Sequence, residues 1–110
     1  MKITSSKFYK DMVLTISEIA KSYQISRNMI TISENKVSSR EFDFLDPYYL
    51  YVNRVNTSFF KLENSDKEIL YNEFFNPSEE FWWKTVYNKR HFYSTKVKAM
   101  KNFLRVFNDY

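Results

Sequence analysis

The chain has no glycine and no cysteine, two prolines and a single histidine in 110 residues, and each shortage removes a class of protein. Without glycine there is no Gly-rich phosphate loop and no GxGxxG dinucleotide turn. Tight hairpins also lose the residue that most easily takes positive φ, which disfavours a hairpin-rich β fold and leaves a mostly helical domain. With no Cys and only His91, neither a disulfide framework nor a His or Cys metal site can be assembled. The carboxylates are scattered singly, with no clustered set for magnesium, so no cofactor is expected. No Ser–His–Asp set can be nominated either, and the reading is non-enzymatic. Residues 1–6, MKITSS, lack an apolar h-region, and the longest strictly apolar run is Tyr48–Val52, far short of a membrane span. A cytoplasmic protein with no membrane partner is expected.

Aromatics, by contrast, are abundant. They make up 20% of the residues, enough for one generous core in a chain of this length, since each buried ring removes roughly 150–250 Å² from water. Charge is segregated along the chain. Residues 1–83 carry ten basic and twelve acidic side chains, whereas residues 84–110 carry seven and one. Between Lys84 and Phe107 there is no acid at all, where an even spread would place about three. An AT-rich genome would account for many lysines, but not for the departure of the acids from this quarter.

Ser5 or Ser6 can cap a first helix, after which Phe8, Met12, Ile16, Ile19 and Tyr23 recur at three- and four-residue spacing. From Gln24 to Asp43 a second helix capped by Ser26 is favoured. The alternative is a short hairpin, because MITIS and KVS alternate around Glu34-Asn35. Asp46-Pro47 is a sharper start signal, an N-cap followed by proline at the first helical position, and Tyr48, Val52, Val55, Phe59 and Leu62 form the stripe behind it. Ser65 to Glu68 has capping-box spacing and opens a shorter helix with Ile69, Leu70 and Phe74 inward, stopped by Asn76-Pro77. Ser78 then caps a further short helix, with Glu79 and Glu80 in its first turn and Phe81, Trp82, Val86 and Tyr87 inward. Helices are thus expected near 6–24, 46–62, 66–75, 78–87 and 89–108.

The last of these is the longest. Phe92, Tyr93, Val97, Ala99, Met100, Phe103, Leu104, Val106 and Phe107 occupy one half of its circumference. The other half, Arg90, His91, Ser94, Thr95, Lys98, Lys101, Asn102 and Arg105, is polar, basic and free of acids. A short helix, a turn of about three or four residues and a longer basic helix make a helix-turn-helix, whose second member enters the major groove. Asn88 would serve in the turn, tolerating left-handed backbone where glycine is missing.

Residues 82–104, WWKTVYNKRHFYSTKVKAMKNFL, resemble the C-terminal motif of the phage late-gene transcriptional regulators of the ArpU/RinA type. The matching positions are Trp83, Tyr87, Lys89, Phe92, Tyr93, Lys96, Lys98, Ala99, Phe103 and Leu104. Those regulators in turn resemble the promoter-reading C-terminal domain of bacterial sigma factors. The resemblance implies four helices over residues 46–108, with residues 1–45 an added N-terminal helical element. Ser94 stands where the family pattern often has a basic residue, so the family's base preference does not carry over.

The expected fold is therefore all-α, with a sigma-factor-like helix-turn-helix domain over residues 46–110. The expected function is duplex-DNA binding by a transcription regulator. Arg90, His91, Ser94, Thr95 and Lys98, on the first turns of the last helix, are the base-edge candidates. Lys84, Lys89, Lys101 and Arg105 are the phosphate candidates. Lys96 lies within the apolar arc, where it should snorkel or reach phosphate from the rim. Trp83 and Tyr93 should pack in the core between the motif's two helices. The rival reading is a non-catalytic interaction module that docks on RNA polymerase or self-associates as a homodimer through the aromatic N-terminal helices.

Overall fold

A computed structural model describes residues 6–36 and 46–109, and among them there are helices and no strand. The fold is all-α. Helix α1 spans Lys7–Lys36, α2 Pro47–Phe60, α3 Asn64–Leu70 and α4 Lys89–Asn108. A π segment, Tyr71–Phe75, extends α3, and one 3₁₀ turn, Trp82–Thr85, lies before α4.

Helix α1 starts where Ser6 Oγ accepts the Tyr9 N–H at 3.0 Å. It buries Tyr9, Met12, Ile16 and Ile19 in the same cluster as residues from α2, α3 and α4. It also outruns its expected end near residue 24. Ser26, read from the sequence as the cap of a separate helix, is instead buried in mid-helix, and residues 25–36 continue the rod. No glycine or proline interrupts that stretch, and contact with α2 extends it: Tyr23 Oη donates to Asn56 Oδ1 at 2.7 Å. The hairpin alternative around Glu34-Asn35 is excluded for its first half, which is helical; its second half lies outside the described residues.

Helix α2 begins as its sequence dictates. Asp46 Oδ1 accepts the N–H groups of Tyr48 and Tyr49, and Pro47 occupies the first turn, where a missing N–H costs nothing. Its inner face carries Val55, Ser58 and Phe59, with Leu62 buried just beyond its end. The capping box expected at Ser65 is not used. Glu63 takes the N-cap position, and Asp66 falls in the first turn of α3, fully buried, with Oδ2 accepting Asn102 Nδ2 of α4 at 3.0 Å.

The expected helix over 78–87 does not form. The Ser78 hydroxyl turns back onto the Asn72 side chain instead of capping forward, and its N–H meets the Asn72 carbonyl at 2.9 Å. Phe81 sits at φ 60°, ψ 29°, a left-handed conformation that costs about 1–2 kcal/mol for a residue with a side chain and cannot lie inside an α-helix. Its consequence is packing. The adjacent tryptophans clasp one ring of α4, Trp83 stacked on Phe92 at 4.4 Å with the planes 8° apart, Trp82 edge-on to the same ring at 5.9 Å. Burial of these large rings offsets the backbone cost.

Helix α4 is the centre of the core. Phe92, Ala99, Met100 and Phe103 are fully buried, and Phe103 meets Phe59 of α2 and Phe75 of the π segment edge-to-face at 5.7 and 5.9 Å. Trp83 is buried and contacts Tyr93 at 6.0 Å, whereas the helical period expected over 78–87 turned Phe81 and Val86 inward and both are exposed. Arg54 of α2 secures the far end: Nε and Nη2 donate to the Phe107 carbonyl at 3.1 and 2.7 Å, with the guanidinium 4.0 Å above the Phe107 ring.

Candidate nucleic-acid interface

The outward face of α4 follows from what its inward face buries. With Phe92, Lys96, Ala99, Met100, Phe103 and Phe107 turned into the core, the 3.6-residue repeat leaves Arg90, Ser94, Lys98, Lys101 and Arg105 exposed along the opposite side. The stripe spans 15 residue steps from Arg90 to Arg105, about 22 Å at 1.5 Å per residue. Lys84 and Lys89 are exposed at its N-terminal end. Among the described residues, Lys84, Lys89, Arg90, Lys101 and Arg105 make no ion pair.

The cap is Asn88, whose backbone is extended, not left-handed as the turn reading expected; the left-handed residue is Phe81. Asn88 Oδ1 accepts the His91 N–H at 2.8 Å. No acid occupies the first turn of α4; Lys89 and Arg90 sit there instead. Helix dipoles favour the reverse, so this placement is unfavourable in the free protein and is relieved when an anion approaches.

The individual candidates differ in how much of their chemistry is free. Thr95 is half-buried, and its hydroxyl donates to the His91 carbonyl at 2.8 Å, so its Oγ1 hydrogen is already spent. The exposed His91 ring stacks on Tyr87 at 5.3 Å. Lys98 Nζ lies 3.8 Å from Glu63 Oε2, both side chains being well exposed, a contact weak enough to exchange for a phosphate. The ammonium groups of Lys101 and Lys84 lie over the rings of Phe8 and Phe81 at 5.4 and 5.1 Å.

Lys96 belongs to none of this. It neither snorkels nor reaches the rim: Nζ donates to Glu73 Oε1 at 2.8 Å, and the Tyr9, Phe74 and Tyr93 ring centroids lie 5.4–5.8 Å from it. Glu73 comes from the π segment and uses its other oxygen, Oε2, to accept Trp82 Nε1 at 2.8 Å. Burial pushes the Lys96 ammonium towards neutrality, but hydrogen bonds to Glu73 and Tyr9 outweigh it and hold the pKa above its ordinary value. Periodicity could place Lys96 inward, but nothing near it in sequence announced an acid 23 positions away.

The expected helix-turn-helix pair is not formed as drawn from the sequence. The helical unit preceding α4 is α3 with its π extension, and residues 76–88, holding only a 3₁₀ turn, separate the two. No protein-family model, curated protein or solved structure matches the chain. Among the described residues no helix is long and apolar enough to cross a membrane, and no group of three or more His, Cys, Asp or Glu is placed to hold a metal.

Proposed function

We propose that this protein is a transcription regulator that binds duplex DNA through the exposed basic face of α4. The observation that carries the reading is the run of cationic side chains Lys84, Lys89, Arg90, Lys98, Lys101 and Arg105, exposed together while the acids of the same stretch are absent. Ordinary solvation of a lysine-rich surface does not require acids to be missing, nor does it place two cations on the first turn of a helix against the dipole. A rod of this length carrying cations at successive turns matches the major groove, where base edges are read by side chains on the first turns and phosphates are met by those further along.

Arg90, His91, Ser94, Thr95 and Lys98 remain the base-edge set and Lys84, Lys89, Lys101 and Arg105 the phosphate set. Thr95 contributes its methyl group and acceptor lone pairs, since its hydrogen is committed. The likeness of residues 82–104 to the phage late-gene regulators supports the same assignment, with RNA polymerase as the further partner such a regulator would meet. The test is retention of duplex genomic fragments across a salt series. With about five phosphates neutralised, log affinity falls against log salt with a slope of about −4 to −5. A flat response, or no binding at low salt, refutes the proposal.

A further inference from the structure

Away from the α4 stripe, a cavity of about 480 Å³ opens between the second half of α1, α2 and the π segment. That volume lies within the roughly 300–1,000 Å³ of small-molecule sites. Val55, Phe59 and Phe75 give it an apolar, largely buried lining, while Gln24, Arg27, Asn56 and Asn76 are exposed and polar.

Three features of this lining choose a ligand. The Arg27 guanidinium lies 5.7 Å above the Tyr23 ring and makes no ion pair among the described residues, so its planar fork of donors is open to a ligand. Such a fork matches the two oxygens of a carboxylate or phosphate. The two amides are each half used: Asn56 Oδ1 accepts from Tyr23 Oη at 2.7 Å, which leaves its N–H donors, and Asn76 Nδ2 donates to Tyr71 Oη at 3.2 Å, which leaves its oxygen as an acceptor. Phe59, Phe75 and Tyr71 supply ring surface between them.

The backbone adds a fourth observation. Residues 71–75 widen into a π-turn, closed by the Asn76 N–H on the Tyr71 carbonyl at 2.8 Å, and this puts Tyr71, Phe75 and Asn76 together in the lining. A π-turn is a rare insertion in a helix and is found disproportionately at functional sites.

We propose that this cavity binds a small molecule that joins a planar ring to one carboxylate or phosphate group, the anion on Arg27 and the polar edge of the ring between Asn56 and Asn76. Nucleoside monophosphates and aromatic carboxylic acids share that chemistry. The site stands whether or not α4 binds DNA.

The experiment is calorimetric titration of the full chain with adenosine monophosphate and with 4-hydroxybenzoate, alongside uncharged adenosine and phenol. At least one anion should bind with a Kd below about 1 mM, and its neutral counterpart at least about tenfold more weakly. Which anion binds identifies the source. Arg27→Ala should weaken the anion by about tenfold or more, with Arg27→Lys in between, because a point charge replaces the fork. Arg27 is exposed, so the fold should survive, and an unchanged thermal melt verifies it. Asn56→Asp, which removes the amide N–H donors at the ring's polar edge and adds a negative charge to the cavity, should weaken the anion independently. Absence of binding by both anions at about 10 mM, or equal affinity in the parent and both the Arg27→Ala and Asn56→Asp chains, overturns the proposal.

Discussion

Replacing Glu73 by Gln tests whether the junction of the π segment with α4 is held by a buried ion pair. The substitution keeps the shape of the side chain and one oxygen for Trp82 Nε1, but removes the negative charge facing Lys96 Nζ at 2.8 Å. Breaking such a pair from one side generally costs about 3–5 kcal/mol, because the remaining charge is left desolvated. Two features place this case near the lower end. The Glu73 side chain retains 20% of its exposure, and three aromatic rings within 6 Å stabilise the ammonium by about 0.5–1 kcal/mol or more each. A loss of about 3 kcal/mol is therefore expected, against about 5–15 kcal/mol for a whole domain. In a chain of this size it lowers the melting temperature by roughly 10–20 °C. The assay is urea unfolding of the parent, Glu73→Gln, Lys96→Met and the double variant. Because removing both charges leaves no orphan, the double variant should be more stable than Glu73→Gln alone by at least about 1.5 kcal/mol. If the two single effects add within about 0.5 kcal/mol, the pair is not coupled, and Lys96 is a solvated lysine after all.

Trp83→Ala removes the ring stacked on Phe92 and should cost about 3–5 kcal/mol, leaving the chain largely unfolded by circular dichroism; a parent-like melt with lost DNA retention would make Trp83 a contact residue instead. Arg90→Ala and Lys98→Ala should relax sequence preference by about 1–3 kcal/mol per lost base contact, while Lys101→Ala should weaken all duplexes alike and reduce the salt slope by about one. Competition between specific and scrambled duplexes separates them; equal losses throughout would reduce α4 to a general electrostatic grip. Alkali supplies the fourth test. Lys96 has a folded pKa above its ordinary value, so its contribution is complete below the unfolded lysine value near 10.4 and is lost as pH rises through the higher folded one. Tyr51 is raised by burial, against opposing contributions from Ser22 and Arg54, so it too costs stability only as pH climbs past about 10. The stability difference between the parent and Lys96→Met should accordingly stay constant through neutral pH and begin to close only above pH about 10.4, as read from urea midpoints. Closure beginning at neutral pH would contradict the ion-pair account.

Some elements were legible because short-range physics decides them. Asp46-Pro47 sets the start of α2 through one side-chain oxygen and one missing N–H, and Asn88 caps α4 through its side-chain oxygen alone. The apolar arc of α4 and its basic complement are properties of a 3.6-residue period, so both the burial of Phe92, Met100 and Phe103 and the exposure of Arg90, Lys98 and Lys101 could be read before any fold was known. The absence of glycine pointed to the helical class for an equally local reason.

Tertiary structure alone settled the remainder. Ser26 and Ser78 both looked like helix caps, yet one is buried inside α1 and the other bonds back to Asn72, because what surrounds each serine is decided by how the helices pack. A helix over 78–87 was locally plausible, but a continuous helix would forgo the clasp of Trp82 and Trp83 on Phe92, and burying those rings outweighs the cost of a left-handed Phe81. Lys96 found Glu73, and Arg27 came to line one cavity with Asn56 and Asn76, across separations of 20 or more residues that no periodicity encodes. Periodicity and capping act within a turn or two of the chain, whereas the partner of a buried charge and the walls of a cavity are chosen by which helices pack together.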